Sequence, residues 1–199
     1  MKCNKTVDRI QVIWNMIGGE EMIDALITGR AKIEVKLTKV ILSSLGTTNT
    51  SATDEKFIAK EKFVMNSKEV RFHGIWENFN EWYLTGDGVV DEVMGAQSIC
   101  FADLTQDCAD SLIIKEFGGE KKSETTLAEL YDLLKKQGNG EDGVLLTNGR
   151  ANIFYIKNIF GVLCVVDVYW CSVGWSVHSD SFGGISIREN DARVFSRKS

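Results

Sequence analysis

Apolar positions recur along this chain with two different periods, and the switches between them mark out its elements. Val7, Ile10, Ile13, Trp14 and Ile17 stand at helical spacing, with Asp8 in the first turn, where a carboxylate favours the positive helix end. Gly18-Gly19 stops this helix, and Glu20-Glu21 opens a second through Met22, Ile23, Leu26 and Ile27 to Gly29, which predicts a short helical hairpin. The period then drops to two. Ile33, Val35 and Leu37 alternate with Glu34 and Lys36 as in a half-buried strand, and a phase slip at Thr38-Lys39 before Val40 and Leu42 suggests a bulge. These elements make up a first segment, 1–42.

From Ser43 the chain turns small and polar (SSLGTTNTSATD), which predicts a flexible linker over 43–56. Residues 57–143 read as an α+β platform. Phe57 to Met65 fits a short helix and a strand equally. Val70, Phe72 and Gly74 alternate with Arg71 and His73 into Ile75-Trp76, and Val89–Met94 and Ser98–Leu104 add two more short strands, so a small antiparallel sheet is expected. Asp110–Phe117 predicts a helix stopped by Gly118-Gly119. The clearest helix lies in SETTLAELYDLLKKQG, with Thr125 or Thr126 as its cap and Leu127, Leu130, Leu133 and Leu134 in one stripe. Gly138 to Gly143 (GNGEDG) predicts a mobile link onward.

Residues 144–199 predict a second, antiparallel sheet. Ile153–Ile156 and Val162–Trp170 flank a turn and form a hairpin, whose second strand is apolar enough to be buried on both faces. Trp175–His178 is a third strand and Arg193–Ser196 a fourth that pairs back. Between them Ser179 to Asn190 is polar, with little hydrophobic period, and predicts an irregular exposed loop of the kind on which binding residues concentrate. The expected class is α+β: a helical hairpin, a small sheet with helices, and a C-terminal antiparallel sheet.

Composition narrows the partners. A chain of 199 residues with 44% hydrophobic and 26% charged residues is ordinary for a globular protein. A net charge of −5, with its lysines and arginines dispersed, argues against nucleic acid. The longest apolar run, Phe160 to Trp170, is interrupted by Asp167 and too short to span a bilayer, and the start MKCNKTVDR, with no apolar core after its charges, is not expected to be a signal peptide. Five cysteines without a C-x-x-C pair support neither a disulfide framework nor zinc, so a reducing, cytoplasmic setting is expected. The chain contains no proline, so its turns must rest on glycine, asparagine and aspartate.

Candidate chemistry is sparse. Cys171 and His178-Ser179-Asp180 are the one set from which a thiol, a base and an orienting acid could be assembled, and no flanking motif accompanies them. Gly138-x-Gly140-x-x-Gly143 matches G-x-G-x-x-G, but it follows a helix and precedes a strand, the reverse of the dinucleotide fingerprint. No cofactor or metal is implied. Tyr169, Trp170 and Trp175 are aromatics of a type that anchors binding surfaces, and equally of a type that fills the core of a small sheet.

The stretches IQVIWNMIGGEEMIDALITG, NFNEWYL, SLIIKEFGGEKKSETTLAEL, GVLLTNGRANIFYIKN, GVLCVVDVYW and the ending ARVFSRKS resemble a group of uncharacterised proteins from candidate-phylum (Parcubacteria-like) bacteria. The likeness covers most of the chain outside residues 31 to 70. The C-terminus further resembles the variable region of proteins diversified by retroelements, in which adenine-directed mutagenesis randomises chosen codons of a binding surface. That resemblance makes a C-type-lectin-like arrangement one candidate for the C-terminal sheet, and it implies a framework of Val168, Trp170, Gly174, Trp175, Val177 and Val194-Phe195-Ser196-Arg197. It implies diversified positions at Cys171, Ser172, Val173, Ser176, His178, Asp180, Gly183, Ile185 and Ser186.

The leading expectation is therefore a non-enzymatic protein that binds a protein or small-molecule ligand through residues 169–190. Its contact set is Tyr169, Trp170, Cys171, Ser172, Val173, Trp175, Ser176, His178, Asp180, Ile185 and Ser186. A Cys171/His178-dependent hydrolase or transferase is the rival, and an interaction or anti-defence protein of mobile-element origin is a third reading.

Overall fold

The computed structural model describes residues 19–28, 30, 40–43, 46–183 and 186–197, and the chain divides into two units, Met1–Lys39 and Val40–Ser199. In the first, Gly19–Ile27 forms helix α1 with Glu20 and Glu21 in its first turn, where their charge complements the helix dipole. The Thr28 hydroxyl donates to the Asp24 carbonyl at 2.6 Å, at the end of this helix. The helix expected over Val7–Ile17 and the strand expected over Ile33–Leu37 lie outside the described residues.

The second unit is built on strands β1 (Gly46–Asn49), β2 (Phe57–Ile58), β3 (Phe72–Ile75), β4 (Val90–Asp91), β5 (Ser98–Asp103), β6 (Cys108–Ala109), β7 (Glu124–Thr125), β8 (Asn152–Lys157), β9 (Leu163–Trp170), β10 (Trp175–Ser181), β11 (Ile187–Arg188) and β12 (Arg193–Arg197). Its helices are α2 (Ala59–Lys62), α3 (Glu77–Phe79), which runs into a π-helical turn Asn80–Leu84, α4 (Asp110–Phe117), α5 (Glu120–Ser123) and α6 (Leu127–Lys136). The class is α+β.

A single eight-stranded sheet runs β1-β5-β12-β8-β9-β10-β3, with β7 alongside β8. This corrects the expectation of two antiparallel sheets. The β8–β9–β10 meander is antiparallel as its hairpin signal predicted, but β3 joins β10 in parallel, and β12 lies parallel to β8 and antiparallel to β5. The apolar meander leaves two open edges, and strands from the expected platform take part in covering both of them. The 43–56 linker is corrected too. Gly46–Asn49 is an edge strand paired antiparallel with Ser98–Phe101. Thr47 and Thr48 favour extended backbone, and Gly46 leaves room for the Phe101 ring, which any Cβ there would strike.

Each face of the sheet carries its own core. On one, α6 sets Leu127, Leu130, Leu133 and Leu134 with Phe57, Phe63, Phe79 and Tyr83 against Phe154, Val166, Val168, Trp175 and Val177. On the other, Ile113 and Ile114 of α4 pack on Ile153, Tyr155, Val165 and Val194. Thr126 caps α6 in a capping box: its hydroxyl accepts from the Glu129 amide at 3.3 Å, while the Glu129 carboxylate accepts from the Thr126 amide at 2.7 Å.

The 138–143 segment is pinned rather than mobile. Buried Gln137 donates to the carbonyls of Glu141 (2.7 Å) and Leu145 (3.0 Å) and accepts from the Leu145 amide at 2.7 Å. Gly140, with φ +76°, lies against the indole of Trp170, where a Cβ would overlap the ring. Gly140→Ala is thus expected to cost about 2–3 kcal/mol in chemical denaturation, from left-handed strain plus overpacking. Gly86→Ala, also at positive φ but in open space, is expected to cost only about 1 kcal/mol. Equal losses would show that the Trp170 contact is loose.

Candidate functional site

The period of two along β9 and β10 divides their side chains between the two faces. The register pairs Trp170 with Trp175, Tyr169 with Ser176, Val168 with Val177, Asp167 with His178 and Val165 with Asp180. Trp170, Trp175, Val168 and Val177 belong to the α6 side. Tyr169, Ser176, His178, Asp167 and Asp180 belong to the other. Trp175 is fully buried, and its Nε1 donates to the Gln137 carbonyl at 2.8 Å. Trp170 meets it edge-on at 5.5 Å. Trp175 is therefore a core residue, and Trp170 a core-packed one, rather than contacts for a ligand.

On the opposite face, small residues support aromatic ones. Trp76, which follows β3, lies over Gly74 beside the Ser176 hydroxyl, and its ring is 4.3 Å from that of His178. His178 stands 6.3 Å from Tyr169. Trp76 is 50% exposed, unusual for so large an apolar ring, while Ser176 beneath it is buried. These three rings form a shelf on a rigid sheet. Cys171, Ser172, Val173 and Gly174 turn the chain at its end: the Cys171 amide and thiol both reach the Gly174 carbonyl, at 3.1 and 3.0 Å. Ser172 sits at φ +64°, and Val173 is exposed.

Beside the shelf, Arg188 enters from β11, which pairs with β6. This corrects the expected exposed loop over 179–190: β10 continues through Ser181, and Arg188 is buried. Its Nε and Nη2 donate to the two oxygens of Asp110 at 2.9 and 3.0 Å, and its Nη1 is shared between Asp167 at 3.4 Å and Asp180 at 3.3 Å. The Tyr155 hydroxyl also donates to Asp110, at 3.0 Å. Burial opposes the charge on Arg188, but the hydrogen bonds and charge of Asp110, then Asp167 and Asp180, outweigh it and push its pKa up. Burial raises the Asp167 carboxyl, with Arg188 and His178 opposing and Asp180 and Asp110 reinforcing.

Arg188, Asp167 and Tyr169, with Arg150, Ile187, Glu189 and neighbours, line a cleft of about 300 Å³. Of the residues expected to bind, Tyr169, Cys171, Ser176, His178 and Asp180 share this side of the sheet, Ser176 beneath Trp76. Ser172 and Val173 lie in the turn. Ser186 is half-buried, and Ile185 is outside the described residues. Sequence reasoning missed Trp76, Arg188, Asp110 and Asp167. The first two were read only as parts of local segments, and no local signal tied them to β10.

A thiol–imidazole pair does not form. Cys171 lies opposite Gly174 and His178 opposite Asp167, so about 13 Å of strand separates their rungs. Among the described residues no group of three or more His, Cys, Asp and Glu side chains could hold a metal ion. No family model matches the chain, and no curated protein or solved structure matches it.

Asp167 generates a prediction with a definite sign. A carboxyl raised on folding withdraws stability as pH climbs from its unfolded value through its folded one. Asp167→Asn removes that loss, and Arg188 keeps its bidentate partner Asp110. The variant should match or exceed the parent in stability at pH 7, and the difference should vanish below about pH 3. A variant less stable at pH 7 would mean that the Arg188 contact outweighs the burial of the charge.

Proposed function

We propose that this chain is a non-enzymatic binding protein whose ligand-contacting surface is the Trp76–His178–Tyr169 shelf and the adjoining cleft. One observation carries the reading: an exposed tryptophan is held over a histidine on a rigid sheet, and that histidine neighbours Tyr169, which lines a cleft that contains charged groups. The distance between the Cys171 and His178 rungs speaks against the hydrolase or transferase alternative. The reading does not depend on a lectin-like fold.

The burial pattern also supports a diversified C-terminus. Of the implied framework residues, Val168, Gly174, Trp175, Val177, Val194, Phe195 and Ser196 are buried and Trp170 and Arg197 half-buried, whereas Cys171, Ser172, Val173, His178, Asp180, Gly183 and Ser186 retain exposure. Substitution at the second set would alter a surface and spare a core. Ser176, buried beneath Trp76, fits that division less well. A cytoplasmic setting is supported by the cysteines among the described residues, Cys100, Cys108, Cys164 and Cys171, which are free thiols. No described helix is long and apolar enough to cross a membrane.

Two measurements test these readings. In a fragment screen followed by amide NMR, binders should shift Tyr169, His178 and the Trp76 indole. Trp76→Ala should abolish those shifts and change stability by less than about 1 kcal/mol. Binders clustering elsewhere would overturn the assigned face. For the diversified reading, a near-copy of the 3′ end of the gene, differing mainly at adenines, should lie beside a reverse transcriptase. Without that copy, residues 171–186 return to an ordinary sheet end.

A further inference from the structure

A second concave surface lies where helices α4 and α5 meet Phe182, the residue that follows β10. Helix α4 ends in a left-handed turn. Gly118 stands at φ +93° and Gly119 at φ +108°, and their amides donate back to the carbonyls of Lys115 (3.0 Å) and Ile114 (2.9 Å). Neither glycine carries a side chain, and a groove of about 710 Å³ stays open beside them. A Cβ on Gly119 would meet no atom within 4 Å.

The floor of the groove is apolar. Ile114 belongs to the core under α4, and Phe182 packs against that core, meeting Tyr155 edge-on at 6.4 Å. A volume of this size suits a small organic ligand. The rim has the opposite character. Lys115 and Lys121 line the groove with a single carboxylate, Glu120. The stem of Lys122 lies over Gly118, with its Nζ 3.6 Å from the place a Cβ would take. Glu116, in the last turn of α4, is exposed and outside the lining.

These lysines differ from others in the chain. Lys56, Lys135, Lys136 and Lys157 each hold a carboxylate within 3.3 Å. Lys115, Lys121 and Lys122 are exposed and enter no ion pair among the described residues. In a chain of net charge −5, carboxylates are in excess, so ammonium groups left free around an apolar floor are not something that folding requires. Their stems extend the apolar surface while their heads stay available to an anion.

We infer that the α4–α5 groove binds a free medium-chain fatty carboxylate, with its alkyl chain on Ile114 and Phe182 and its head between Lys115 and Lys121. A bilayer is the poorer source of such a head and tail, because the surface is concave and an anionic leaflet repels a chain that is anionic as a whole. The groove is separate from the Trp76 shelf, and this inference does not rest on the binding face proposed above.

The test is an amide NMR titration of the full chain at constant ionic strength, with every probe below its micelle concentration. The probes are sodium octanoate, 1-octanol, octylammonium chloride and sodium acetate. Octanoate should shift Lys115, Gly118, Gly119 and Phe182 and bind about fivefold tighter than 1-octanol, the size expected of two partly exposed ion pairs. Octylammonium should bind more weakly than the alcohol, and acetate, which lacks the chain, should leave these amides unmoved. Lys115→Gln and Lys121→Gln, both at exposed positions, should each bring octanoate closer to the alcohol. Ser111→Trp, from an exposed position in the lining, should fill the groove and abolish binding of both. Equal binding of octanoate and octanol, or tighter binding of octylammonium, would overturn the anionic head. Octanoate shifts confined to other residues, or no shifts at all, would overturn the site. Shifts at these residues on phosphatidylglycerol vesicles but not on octanoate would assign the face to a membrane and overturn the free carboxylate.

Discussion

A single buried guanidinium ties together elements that the chain order keeps far apart. Arg188 on β11 holds the first residue of α4 through Asp110, β9 through Asp167 and β10 through Asp180, and Asp110 in turn takes the hydroxyl of Tyr155 on β8. Taking such a charge out of water is expensive, and removing one member of a buried pair typically costs on the order of 3–5 kcal/mol, because the charges left behind stay dry. The arrangement persists because Asp110 meets Arg188 through two parallel hydrogen bonds. The cleft, which Arg188 and Asp167 line, depends on it: without Arg188, Asp110, Asp167 and Asp180 would repel one another.

The surrounding sheet makes this possible by being covered on both sides. Strand β9 is apolar almost throughout its first half, since α6 packs on one face and α4 on the other. Toward its end the second cover stops, and alternate residues turn polar or aromatic. Core and candidate site are thus two faces of the same strands, and the rigidity of the first positions the second.

Local elements were legible wherever one period ran unbroken. The helix at Asp110–Phe117, the α6 helix with its Thr126 cap, the β8–β9 hairpin and the strands at 175 and 193 follow from spacing alone. Long-range pairing was not legible. Nothing in Phe72–Ile75 announces a parallel partner some hundred residues later, and a threonine-rich edge strand has the composition of a linker. The tryptophans show the limit of reading residue types without their phase. Trp170 and Trp175 face each other on the core side, while Trp76, one strand over, supplies the exposed ring. Arg188 offered no signal either, because a lone arginine in a polar tract reads as solvated until its carboxylates are assembled around it.

The position of β12 has a consequence for how the molecule is made. It is the last of the described strands in sequence, yet it lies between β5 and β8, where it alone joins the β1–β5 pair to the β8–β9–β10–β3 group. During synthesis the β5 edge and the Asn152–Ile153 part of the β8 edge stay open until residues 193–197 leave the ribosome, so closure of the sheet is a late and non-local step. A product cut short before Arg193 would keep both edges exposed, the kind of species prone to aggregation. Completion of the sheet therefore couples the two groups through contacts between residues far apart in sequence.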